Sequence, residues 1–149
     1  SDDNIKNSMK KMRLKGRLEE IKSGKLKSLI GENRLIIDGG HNINSAISIS
    51  KWAEQQNEKV HLICGMMNDK PHREFVNQFE NSVKSITLVD IPNQEGSISK
   101  EEFKKKLGNK NIHTAESIEE SLLMNNKDEN CIFLCAGSLY LAGEVLNLN

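Results

Sequence analysis

Three short segments combine residue types that can do chemistry with glycines that let a backbone come close to a ligand. In Asp38-Gly39-Gly40-His41-Asn42, two glycines permit a sharp turn, while Asp38 and His41 offer an acceptor and a switchable donor on either side of it. Gly65-Met66-Met67-Asn68-Asp69-Lys70 ends in a carboxylate beside an amine, and Gly137-Ser138 presents a hydroxyl. Earlier in the chain, Gly16-Arg17 supplies a guanidinium, whose permanent charge and donor fork suit phosphate oxygens. The first segment is not a dinucleotide fingerprint, which needs Gly-x-Gly-x-x-Gly, and there is no Gly-x-x-x-x-Gly-Lys-[Ser/Thr] loop for a nucleoside triphosphate.

Each of these residues also has a plain structural reading. Asp38 can cap the turn into the next helix, Ser138 can be a helix N-cap as well as a ligand contact, and His41 can be an ordinary turn residue. Arg17 lies in a lysine-rich stretch where surface charges are common, and Met66-Met67 reads as packing between loop and core. His61, His72 and His113 have no partner at an interpretable spacing and read as structural.

The elements that position these segments alternate. Leu35-Ile36-Ile37 reads as a strand ending at Asp38, and Asn44 to Glu54 carries Ala46, Ile47, Ile49 and Ala53 at helical spacing. Val60 to Cys64 is a second strand, followed by a helix over Arg73 to Asn81; Ile86 to Val89 is a third. Ser99, with Glu102 three residues on, opens a helix running to Leu107 before Gly108. A short strand at Asn111-Ile112-His113, a helix from Ser117 to Met124, a strand at Cys131 to Cys135 and a closing helix from Leu139 to Leu146 complete the pattern. Such alternation predicts an α/β sandwich with a mostly parallel sheet, whose ligand-facing edge is where the strands end.

Composition bounds the rest. A chain of 149 residues, 36% hydrophobic, is long enough to bury a core without disulfides or a structural metal, and its 21 Lys+Arg against 21 Asp+Glu argue against nucleic acid as a partner. No apolar run approaches the roughly 20 residues of a membrane span, and Ser1-Asp2-Asp3-Asn4 is too polar for a secretory signal, so the expected location is cytoplasmic. Cys64, Cys131 and Cys135 read as buried, reduced strand residues; Cys131 and Cys135 have metal-like spacing but no further ligand nearby. The first thirty residues hold nine Lys and Arg against four acids. They read as a solvated lysine-rich arm, or, from the spacing of Ile5, Met9 and Met12, as a short amphipathic helix with a partner outside the chain.

The Asp38-Gly39-Gly40-His41-Asn42 loop resembles the Asp-Gly-Ala-His-Asn-Pro motif of folylpolyglutamate synthases and dihydrofolate synthases, in the Mur ligase superfamily of ATP-dependent amide-forming enzymes. Three more segments are similar in the same order: Gly16-Arg17-Leu18-Glu19 to that family's entry into its C-terminal domain, Gly65 to Lys70 to its Gly-Met-Leu-x-Asp-Lys loop, and Gly137-Ser138-Leu139-Tyr140-Leu141-Ala142-Gly143-Glu144-Val145 to its closing motif. The resemblance covers nearly the whole chain and only the last third of such an enzyme. It implies a Rossmann-like three-layer sandwich of the Mur ligase C-terminal domain type over residues 16–149, with residues 1–15 as an interdomain linker or arm.

The resemblance implies that this domain closes over ATP held by a missing central P-loop domain, which would also hold Mg2+. A folate or dihydropteroate carboxylate is phosphorylated to an acyl phosphate, and the amino group of L-glutamate attacks it. By position, Arg17 matches the arginine that reaches the ATP phosphates and Asp38 the aspartate that bonds the ribose. His41 matches the motif histidine at the reacting centre, Asn42 and Ser138 match glutamate-binding positions, and Asp69 and Lys70 fall to loop-ordering or interdomain roles; no metal ligand is expected in this chain. The chain departs from the pattern at Leu14-Lys15, where Trp-Pro is usual, at Ile43, where proline is usual, and in the long span between Arg17 and Asp38. Another Mur-type amide ligase, acting on a cell-wall precursor or cyanophycin, and a free-standing nucleotide- or protein-binding module are the alternatives.

Overall fold

The computed structural model describes Asp3, residues 17–108 and residues 111–149. The expected arm over residues 1–15, and the helix expected from Ile5, Met9 and Met12, lie outside the described residues apart from Asp3. In chain order the elements are β1 (Glu19–Ile21), α1 (Lys25–Leu29), β2 (Arg34–Ile37), α2 (Ile43–Glu54), β3 (Lys59–Cys64), α3 (His72–Asn77), β4 (Ser85–Leu88), α4 (Lys100–Leu107), β5 (Ile112–Thr114), α5 (Ile118–Leu123), β6 (Cys131–Ala136) and α6 (Leu139–Leu148).

The six strands form one sheet in the order β1-β2-β6-β3-β4-β5, with β1 antiparallel to β2 and every other pair parallel. All residues of β6 are buried, as expected for a central strand covered on both faces. Alternation along the strands divides the core. Ile36, Leu62, Leu88 and Leu134 face α2, α3 and α4 with Phe75, Phe79 and Phe103, while Leu35, Ile37, Ile63 and Phe133 face α1, α5 and α6 with Leu26, Leu122 and Leu141. The result is the expected three-layer α/β sandwich with a mostly parallel sheet.

Local signals act as anticipated in most elements. Ser99 Oγ accepts the Glu102 N–H at 3.2 Å, and Ser117 Oγ accepts that of Glu120 at 3.0 Å, each capping a helix. The helix expected through Asn81 stops at Asn77, but successive turns continue and Phe79 remains fully buried. The three thiols are free and buried, and burial pushes Cys131 up to about 11 and Cys135 up to about 12.

The reading of the first thirty residues as a solvated arm is corrected over its second half. Glu19–Ile21 pairs with β2 as an edge strand, and Ile21, Leu26 and Ile30 are core residues. The lysines of α1 mask its single buried stripe, Leu26, and its first turn is capped from the far end of the chain by Asn149.

Candidate functional site

Because β6 lies between β2 and β3, the loops that follow these three parallel strands meet at one edge of the sheet. The Asp38 N–H donates to the Cys135 carbonyl at 3.0 Å, carrying the β2–β6 pairing one residue past the strand. The Asp38 carboxylate is wholly buried, and both of its oxygens are used. Oδ1 accepts the Gly40 N–H at 2.7 Å, and Oδ2 accepts the Leu18 N–H at 3.2 Å. Burial pushes the Asp38 carboxyl above its usual range; the Gly40 N–H, the Arg17 charge and the Leu18 N–H oppose it. Gly40 has no room for a side chain, since a Cβ would lie 2.6 Å from Ser45 Cβ and 2.9 Å from Asp38 Oδ1.

Helix capping falls to Asn42 rather than Asp38. Asn42 Oδ1 accepts the Ser45 N–H at 2.8 Å and the Ser45 hydroxyl at 2.9 Å, which starts α2 and leaves the half-buried His41 just before it. Ser138 is the N-cap of α6: its Oγ accepts the Tyr140 N–H at 3.0 Å. Gly137, at φ 118, touches the neighbouring loop so closely that a Cβ would lie 2.7 Å from the Gly65 carbonyl oxygen.

The loop after β3 is held mainly by backbone. Asn68 N–H donates to Gly96 O at 2.8 Å and Ile98 N–H to Met66 O at 3.0 Å. Buried His72, packed on Phe103, donates from Nε2 to the Met67 carbonyl at 2.8 Å, which sets its tautomer. Asp69 is strongly exposed and stands 4.0 Å from the Lys70 ammonium, so both side chains sit at the loop's rim.

A cleft of about 310 Å³ opens between the three loops. Its polar walls are His41, Asp69, Lys70, Ser138 and Tyr140, and its apolar walls are Met67 and Leu139. Four of the residues singled out in the sequence therefore surround one space. Arg17 and Asp38 form a second group that adjoins it through the Gly40 turn, and Asn42 sits at the helix cap. Tyr140, to which the closing motif assigns no role, joins this lining; its place in the first turn after Ser138 is the available signal. A second hollow, about 350 Å³, lies at the amino ends of β4 and β5, beside Ser85, Ile86 and Ile112. That is the opposite edge from the one where open parallel sheets take ligands. Among the described residues no cluster of three or more His, Cys, Asp or Glu is placed to hold a metal ion, and no helix is long and apolar enough to cross a membrane.

Sheet order and converging carboxyl-edge loops define an open α/β domain with a ligand-facing cleft beside its central strand. Residues 16–139 match the model of the family described as Mur ligase, glutamate ligase domain, and the chain belongs to that family. Its fold is similar to that of Mycobacterium tuberculosis folylpolyglutamate synthase complexed with ADP and AMPPCP, at TM-score 0.72 and 17% identity, over 89% of this chain and 31% of that one. The bifunctional folylpolyglutamate synthase/dihydrofolate synthase of Yersinia pestis is similar at TM-score 0.70 and 17% identity, over 88% and 30% of the two chains. A bifunctional folylpolyglutamate synthase/dihydrofolate synthase with Mn, AMPPNP and L-glutamate bound is similar at TM-score 0.66 and 16% identity, over 88% and 30%. The chain thus spans under a third of the length of these structures. No curated protein matches it in sequence.

Proposed function

We propose that the chain is the C-terminal domain of an ATP-dependent folate-glutamate ligase, closing over a nucleotide held by a central P-loop domain and helping to bind glutamate for amide formation. The observation that carries this reading is the cleft that joins His41, Lys70 and Ser138 from three loops, each within a motif of that family. The ADP and AMPPCP bound to the Mycobacterium tuberculosis enzyme, and the AMPPNP and L-glutamate bound to the bifunctional enzyme, support the choice of ligands.

The donor set fits these ligands. Arg17 is exposed and permanently charged, as a phosphate contact from a closing domain must be. His41 and Ser138 line the cleft, and an imidazole and a hydroxyl suit an amino acid, whose carboxylates need donors; Asn42 retains its amide nitrogen beyond the cap. Asp69 and Lys70 stand at the rim, suited to meeting the other domain. ATP would supply the phosphoryl group that activates the folate or dihydropteroate carboxylate, with Mg2+ held by the central domain. The residues of this chain would orient the nucleotide and the amino acid, and closure would exclude water.

In the full-length enzyme, Arg17→Ala should raise the KM for ATP and His41→Ala the KM for glutamate, each on the order of tenfold or more, as loss of a charged or buried hydrogen bond implies. Wild-type kinetics in both would overturn the assignment. Calorimetry of this chain alone should show weak or no ATP binding; tight binding with turnover would show that no central domain is required.

A further inference from the structure

Met67, in the wall of the cleft, pairs antiparallel with Ser97, in the segment between β4 and α4. The Asn68 N–H donates to Gly96 O at 2.8 Å and the Ile98 N–H to Met66 O at 3.0 Å, so a short two-stranded bridge joins the two loops. A Cβ on Gly96 would stand 3.1 Å from Met67 Cε, which leaves little slack between them. The segment that braces the wall is itself closed at its base by Lys100. Asp90 Oδ1 accepts the Lys100 N–H at 2.8 Å, and Asp90 Oδ2 accepts from the Lys100 ammonium at 3.1 Å. The same ammonium reaches Glu101 at 3.1 Å and Glu116, in the loop after β5, at 3.6 Å. The Lys100 side chain is 8% exposed, whereas those of Glu101 and Glu116 are 69% and 79% exposed. A lysine is rarely taken out of water unless it is paired, and Asp90, which meets both its amide and its ammonium, is the partner best placed to hold it.

From this geometry we infer that Lys100 is a positioning residue for the cleft: by closing the 90–100 segment through Asp90 it holds the bridge to residues 66–68, and so fixes Asp69 and Lys70 at the rim. Lys100 is not part of the cleft lining and acts only through the backbone it holds. The Met67 carbonyl has a second support in His72 Nε2 at 2.8 Å, so loss of Lys100 loosens the wall without releasing it. The inference rests on the proposed function only in taking glutamate as the occupant of the cleft; the brace itself is testable without the reaction.

Lys100→Met keeps the aliphatic stem and removes the ammonium, and Asp90→Asn keeps an acceptor for the amide and removes the carboxylate. In the full-length enzyme each should speed hydrogen exchange of the Asn68 and Ile98 amides by about tenfold or more, as loss of a charge-assisted bond implies, with β3 and β6 unchanged. The KM for glutamate should rise on the order of tenfold while kcat stays within about twofold, because the wall binds and does not react. Since the two residues act through one contact, the double variant should match the worse single variant instead of multiplying the two effects. Lys84→Met, which breaks an ion pair with Asp128 at the opposite edge of the sheet, should leave both readouts at wild type. Unchanged exchange at Asn68 and Ile98, acceleration across the whole sheet, or multiplied effects in the double variant would each overturn the inference. Localised acceleration with wild-type kinetics would support the brace and count against the proposed function instead. Should the variants fail to fold, wild-type exchange decides. The Asn68, Ile98 and Lys100 amides should open as one unit, with protection within about tenfold of one another and one urea dependence; a wider spread would refute the brace.

Discussion

Asn149 Oδ1 accepts the Leu26 N–H at 2.9 Å across 123 positions of sequence, so the last residue of the chain caps one of its first helices. The same oxygen accepts the Lys27 N–H at 3.3 Å, and Nδ2 donates to the Ser23 carbonyl at 2.8 Å. The helix has no cap of its own, because its N-cap position is Gly24.

Asn149→Ala should therefore lower stability by about 1 kcal/mol, the usual cost of losing an asparagine cap. Asn149→Asp should cost less, since it keeps an acceptor and adds a negative charge at the helix N-terminus. Urea denaturation of the three proteins checks the order; equal stability of wild type and Asn149→Ala would show that the cap contributes nothing.

How much of this architecture was legible depended on range. The run Cys131 to Cys135, stopped by Gly137, reads as a strand from composition alone, because a strand buried on both faces needs no partner to be recognised. Glu19–Ile21 is a strand only because it pairs with β2, and α1 is capped by a residue at the other end of the sequence; neither leaves a local periodic signal. The site divides in the same way. Turns at Asp38 and Gly137 were visible in their glycines, but only the insertion of β6 between β2 and β3 brings loops a hundred residues apart around one cleft. Lys100 is a similar case: it is the first residue of α4, yet its side chain is buried and paired with Asp90 at 3.1 Å and Glu101 at 3.1 Å, and those bonds keep its ammonium above the usual lysine range.

Gly40 is the tightest point of the site loop, and the family motif that this loop resembles has alanine there. With Ser45 Cβ 2.6 Å from where a Gly40 Cβ would be, Gly40→Ala should destabilise by about 2 kcal/mol through overpacking. Ser45→Gly should cost about 0.5 kcal/mol in helix propensity. The double variant should be more stable than the sum of the two losses implies, because the glycine removes the colliding carbon. Additive losses in urea titrations would place the conflict at Asp38 Oδ1 instead.

His61 should make stability depend on pH. It is buried, with Nε2 donating to Asp128 Oδ2 at 2.9 Å and Nδ1 facing Ser85 Oγ at 2.6 Å. Burial pulls its imidazole below the ordinary 6.5, against the opposing pull of the Asp128 carboxylate. An unfolded chain therefore takes up this proton first as pH falls below 6.5, and folding loses stability until the folded imidazole also protonates. His61→Leu should flatten this part of the curve below pH 6.5, whatever it does to absolute stability. Asp128, held below 3.8 chiefly by the His61 bond and next by Lys84, contributes a separate loss at lower pH. An unchanged slope in His61→Leu would assign the acid response to other groups.

Ser138 combines two roles that substitution can separate. Its hydroxyl caps α6 through the Tyr140 N–H at 3.0 Å, and the residue also lines the cleft. Alanine removes both the cap and the hydroxyl, whereas glycine, a tolerable N-cap, costs only a few tenths of a kcal/mol in capping and still removes the hydroxyl. Ser138→Ala should therefore lose about 1 kcal/mol of stability, and Ser138→Gly clearly less. If the hydroxyl contacts the amino-acid substrate, both variants should raise the KM for glutamate in the full-length enzyme by the same factor, despite their different stabilities. If the hydroxyl only caps the helix, any kinetic defect should follow stability, and Ser138→Gly should be close to wild type in both measurements.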